Sequence, residues 1–60
     1  MFKVGDKIRI RNMNGELIYE NKVGVITSIE TDRDGEMFYR GTWGGLEVYP
    51  KLDSIEYADN

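Results

Sequence analysis

Cysteine and histidine are both missing from this sequence of 60 residues, so no disulfide and none of the usual zinc sites can brace it. A chain this short buries only about 60% of the surface its unfolded form exposes, and its stability margin is correspondingly thin. The lack of cysteine fits a cytoplasmic setting. It also removes the intrinsically most reactive nucleophile, and the lack of histidine removes the commonest general base, leaving only Ser28, Ser54 and three Thr residues as nucleophile candidates. Long apolar runs are missing too. The longest uncharged, apolar-rich stretch, Val23 to Ile29, falls far short of the roughly 20 residues a membrane span requires. The N-terminus, Met1-Phe2-Lys3-Val4-Gly5-Asp6, meets charge too early for a signal peptide. These absences predict a single soluble, cytoplasmic domain over residues 1–60, with no cofactor and no membrane partner.

Charge is present but unevenly placed. The formal net charge is −3, and residues 1–29 carry +2 whereas residues 30–60 carry −5. A non-specific DNA binder needs a net basic surface to release counterions from phosphates. This chain lacks one overall, although its first strand carries a local basic stripe.

No segment has helical periodicity. Short alternating runs are broken every ten residues or so by Gly, Asn or Asp, the spacing of a small barrel or sandwich. Lys7-Ile8-Arg9-Ile10-Arg11 reads as the first strand, with Ile8 and Ile10 on one side and the three cations on the other. Asn12 to Asn21 reads as a loop in which Leu17, Ile18 and Tyr19 fold back over one end of the barrel. The second strand runs from about Val23 to Glu30. Ile26 and Ile29 differ in parity, so a bulge near Thr27-Ser28 is needed to aim both inward. Thr31 to Glu36 is then a polar hairpin loop turned by Asp34-Gly35.

Gly44-Gly45 has the conformational freedom a two-residue hairpin turn demands. A turn there pairs Trp43 with Leu46, Thr42 with Glu47, Gly41 with Val48 and Arg40 with Tyr49. Tyr39, Trp43, Leu46 and Val48 then share the core face; Phe38, Arg40, Thr42, Glu47 and Tyr49 share the other. Pro50 ends the fourth strand, and Ser54-Ile55-Glu56-Tyr57 forms the fifth. The predicted core is Ile8, Ile10, Ile26, Ile29, Val48 and Ile55, with Trp43 packed beside it.

The order Val4-Gly5-Asp6-Lys7-Ile8, Gly24-Val25-Ile26-Thr27-Ser28-Ile29, Tyr39-Arg40-Gly41-Thr42-Trp43 and Asp53-Ser54-Ile55-Glu56 resembles that of SH3-like barrels. It is most similar to KOW-type and related short bacterial and phage domains. The resemblance covers nearly the whole chain and implies an all-β fold, a small five-stranded SH3-like barrel. The sequence departs from the KOW pattern in two ways: about eighteen residues separate Asp6 from Gly24, and the connecting loop is not basic. Such barrels host many unrelated partners, so the resemblance speaks to fold more than to function.

Candidate chemistry is sparse. Placing Gly35 at position six of a calcium loop puts Glu30, Asp32 and Asp34 at positions one, three and five, but position twelve becomes Gly41 instead of a bidentate Glu. The segment is expected to bind no metal. The glycines precede no helix, so none builds a phosphate loop. A catalytic role is not expected. The expectation is a non-catalytic binding module of a bacterium or bacterial virus, acting through protein–protein contacts. Its candidate partner-binding patch is Phe38, Arg40 and Tyr49, aromatic and Arg types enriched in interface cores. The alternative is a nucleic-acid-associated domain using Lys7, Arg9 and Arg11 as phosphate contacts. A second alternative is a small structural subunit that self-associates.

Overall fold

The computed structural model describes residues 2–12 and 21–58. Among them are five strands and no helix: β1 (Lys7–Asn12), β2 (Lys22–Thr31), β3 (Met37–Gly41), β4 (Gly44–Val48) and β5 (Ser54–Tyr57). All neighbours are antiparallel, in the order β4-β3-β2-β1-β5. The sheet is not closed into a barrel. The predicted covering of one end by Leu17, Ile18 and Tyr19 lies outside the described residues.

The long strand β2 holds the two halves together. Its first part pairs with β1, from Lys7 opposite Val25 to Ile10 opposite Lys22. Its second part pairs with β3, from Ile26 opposite Gly41 to Thr31 opposite Met37. The register slips between Ile26 and Ser28, where one extra residue on β2 makes the predicted bulge. The Thr27 hydroxyl donates to the Arg40 carbonyl (3.2 Å) at that point.

Alternation along β1 buries Ile8 and Ile10 completely, and with Ile26, Tyr39, Trp43 and Val48 they form the core cluster. Phe2, Leu46 and Ile55 pack against its margin. Removing an aliphatic side chain of this size from water contributes about 1.5–3 kcal/mol, and these few residues carry much of the fold. Ile29 differs from the expectation. The bulge does bring it opposite Tyr39, on the core side, but it remains 37% exposed because it lies towards the end of β2, beyond the reach of the β1 isoleucines.

The turn between β3 and β4 also differs. Thr42 and Trp43 form it, while Gly44 and Gly45 belong to β4. Gly41 lies opposite Gly44 and Tyr39 opposite Val48, so the register is offset from the one a Gly44-Gly45 turn imposes. The cause is the indole. At the turn, Trp43 folds over the inner face above Gly41 and Gly24 and becomes 2% exposed. Its Nε1 donates to the Leu46 carbonyl (2.9 Å). The Thr42 amide donates to the Val25 carbonyl (3.0 Å), and the Val25 amide donates to the Thr42 hydroxyl (3.0 Å), tying the turn to β2. Burying so large a ring with its N–H satisfied outweighs the local turn preference of two glycines.

Candidate functional site

Two surface groups have the composition of a contact site, and the fold treats them differently. The first contains Phe38, Arg40 and Tyr49. Alternation along β3 does send Phe38 to the face opposite Tyr39, but Phe38 is only 5% exposed, which corrects the expectation that its ring faces water. The offset register explains this. Phe38 lies beside Tyr49, ring centroids 5.4 Å apart, and the Arg40 guanidinium sits 5.3 Å above the Phe38 ring. Arg40 is not across from Tyr49 as predicted; it bonds to Glu47 on β4 (2.9 Å) and to Glu30 on β2 (3.2 Å).

Tyr49 is equally engaged. Its hydroxyl donates to Asp32 Oδ2 (3.0 Å) and lies 3.5 Å from Glu47 Oε1. Its amide donates to the buried Asp53 carboxylate (2.8 Å). Partial burial and the Asp32 carboxylate push the Tyr49 hydroxyl up to about 12. Asp32 Oδ1 accepts the amides of Asp34 (2.8 Å) and Glu36 (3.0 Å), and Gly35, at φ 84°, completes the turn. The Glu36 amide, followed by the Tyr49 hydroxyl and the Asp34 and Gly35 amides, holds the Asp32 carboxyl below its ordinary value against an opposing contribution from desolvation. The patch is thus a closed cluster that pins the β2–β3 loop to the end of β4. Both Asp32 oxygens are already directed at donors of the chain itself.

The second group is the outward face of β1. Lys7, Arg9 and Arg11 alternate with the buried isoleucines and point away from the core. Cross-strand register places Val25 beside Lys7, and Val23 and Glu56 on the two sides of Arg9. A single carboxylate oxygen, Glu56 Oε2, serves both Arg9 (3.3 Å) and Arg11 (3.5 Å). Lys7 makes no ion pair among the described residues. Among the described residues one acid therefore serves two of these three cations, on a face where Val23 remains 39% exposed and Val25 half-buried. These exposed, long ion pairs each stabilise by about 0–1 kcal/mol or less, so they yield readily to a competitor.

The outward placement of the three cations was legible in the sequence, whereas the valines beside them were not singled out. Their parity was legible, but it acquires meaning only once β2 is registered against β1. No protein family, curated protein or solved structure matches this chain.

Proposed function

We propose that this chain is a non-catalytic binding module of SH3-like architecture that works through protein–protein contacts on the outer face of β1, β2 and β5. Five short antiparallel strands, with the long β2 contributing to both halves, support the architectural part of that reading. One observation carries the functional part. The Phe38, Arg40 and Tyr49 cluster satisfies itself, whereas on β1 Arg9 and Arg11 share one carboxylate and Lys7 has no ion pair among the described residues, all beside exposed aliphatic surface. Cations flanking apolar area describe the composition of a contact surface better than that of an idle solvated face.

The experiment is capture of partners from a nuclease-treated cell lysate by the wild-type chain and by the double variant Lys7→Glu, Arg11→Glu. Both side chains are exposed, so the variant is expected to keep the circular dichroism spectrum of the wild type. A protein retained by the wild type and lost by the variant supports the reading; identical capture profiles overturn the assignment to this face. The nucleic-acid reading draws on the same three cations and predicts steep loss of oligonucleotide binding as salt rises. It is weakened by the neighbours. Val23, Val25 and Glu56 flank the stripe, and none is the aromatic platform that base stacking uses.

A further inference from the structure

We infer that the occupant of this face is an extended acidic segment that also carries aliphatic side chains. The inference rests on the protein-binding reading above and specifies the partner's chemistry. Side chains on one face of a strand recur every two residues, about 6.7 Å apart, and an extended peptide presents its own at the same interval. Carboxylates two residues apart therefore match the Lys7, Arg9 and Arg11 row. Glu56 already shows how one fits, since its Oε2 lies between two guanidiniums at 3.3 and 3.5 Å. Among the described residues one carboxylate stands among these three cations, which leaves room for at least one more, and Lys7 is the one of the three without an ion pair there.

The valines decide between polyanions. Val23 stands directly opposite Arg9 and Val25 opposite Lys7, so aliphatic surface runs alongside two of the three cations. Phosphates gain nothing from it, while the aliphatic side chains of a peptide bury it. Charge density points the same way. Duplex DNA carries a charge about every 1.7 Å, and a chain of net charge −3 with Glu56 inside its basic face opposes so dense a polyanion. A peptide that intersperses acids with aliphatic residues meets the three cations at much lower density.

The test is a fluorescence-anisotropy titration of the full chain with labelled synthetic probes. The probes are an extended peptide of equal Glu and Val content, its Glu→Gln counterpart, polyglutamate of the same length, and a single-stranded and a duplex oligonucleotide. The Glu/Val peptide is expected to bind at least about tenfold more tightly than the Gln/Val peptide, and to lose about that factor in the Lys7→Glu, Arg11→Glu variant. The milder Lys7→Gln, Arg11→Gln pair should show a smaller loss in the same direction. Val23→Ser should weaken the Glu/Val peptide and leave polyglutamate unchanged. Equal affinity for the Glu/Val and Gln/Val peptides, or affinity unaffected by the charge variants, overturns the inference. Tighter oligonucleotide binding that depends on Lys7 and Arg11 assigns the face to nucleic acid instead. Wild-type failure to bind the Glu/Val peptide, with charge-dependent protein capture intact, rejects only the proposed partner chemistry; loss of both rejects the protein-binding reading as well.

Discussion

Gly41 shows how strongly one missing side chain shapes this domain. A Cβ there would lie inside the contact distance of the Trp43 six-membered ring and against the Val25 carbonyl oxygen. The indole occupies the space the side chain would need, and Gly24 gives it similar room, an added Cβ meeting Trp43 Cε3 at 3.0 Å. Backbone and ring cannot both yield in a well-packed interior. Gly41→Ala is therefore expected to cost about 1–3 kcal/mol, the usual range for overpacking. Removing the ring itself, Trp43→Ala, should cost about 3–5 kcal/mol. Urea titration followed by circular dichroism measures both. A midpoint for Gly41→Ala equal to that of the wild type would show that the ring does not rest where described. Phe38→Ala should also destabilise, because its ring is covered by Tyr49 and Arg40. Its effect is thus structural, and a loss of partner binding in that variant must be read against its loss of fold.

The β2–β3 hairpin is an element whose stability depends on one carboxylate. Asp32 accepts from the Asp34 and Glu36 amides and from the Tyr49 hydroxyl, and these bonds favour its ionised form. Its folded pKa lies below its unfolded value, so its contribution is complete above the ordinary Asp range near 3.8 and is lost as pH falls through the folded value. Amide exchange at Asp34 and Glu36 should accelerate in acid, and Asp32→Asn should remove most of that pH dependence. Tyr49 has the opposite sign. Its folded pKa is raised to about 12, so the neutral phenol's contribution is complete below its ordinary value of 10.0 and is lost as pH rises from there through about 12. Tyr49→Phe is expected to flatten the base limb of the stability profile and to raise the Asp32 pKa; a carboxyl-carbon NMR titration follows the latter. An unmoved Asp32 titration in that variant would show that the hydroxyl bond is not formed.

At the scale of the whole molecule, charge is divided between two ends of the chain with different uses. In the acidic second half several carboxylates are engaged internally: Glu30 and Glu47 on Arg40, Glu36 on Lys51, and Asp32 on the loop. Millimolar calcium is accordingly expected to leave the thermal midpoint unchanged, since a ligand specific to the folded state must raise it. A rise of several degrees would show that the loop acids can be recruited from these partners. Among the described residues, Arg9 and Arg11 of the basic first strand share one carboxylate and Lys7 has no ion pair. Substituting Lys7 and Arg11 should change stability by no more than about 0.5 kcal/mol, as for most exposed positions. Binding and folding can therefore be perturbed separately on that face, which the Phe38 cluster does not permit.

Alternation and turn chemistry made most of the strand plan legible. Ile8 and Ile10 had to share a face opposite Lys7, Arg9 and Arg11, and the parity conflict between Ile26 and Ile29 called for the bulge that is present at Thr27. Those are local properties of a two-residue period, and they survive folding because nothing distant competes with them. The hairpin register was different. Gly44-Gly45 is the better turn locally, yet Trp43 gains more by folding over the adjacent Gly41 and onto Gly24, which is distant in sequence and which no local rule weighs. That shift of register put Phe38, rather than Arg40, beside Tyr49 and closed the patch that the Gly44-Gly45 register and its composition had marked as a candidate contact surface. It also takes pairing across strands to show that Val23 and Val25 flank Arg9 and Lys7 and that Glu56 serves both Arg9 and Arg11. Periodicity along the chain thus determined which side each residue faces. Only the tertiary structure decided what waits there, because burial and charge compensation are set by neighbours distant in sequence.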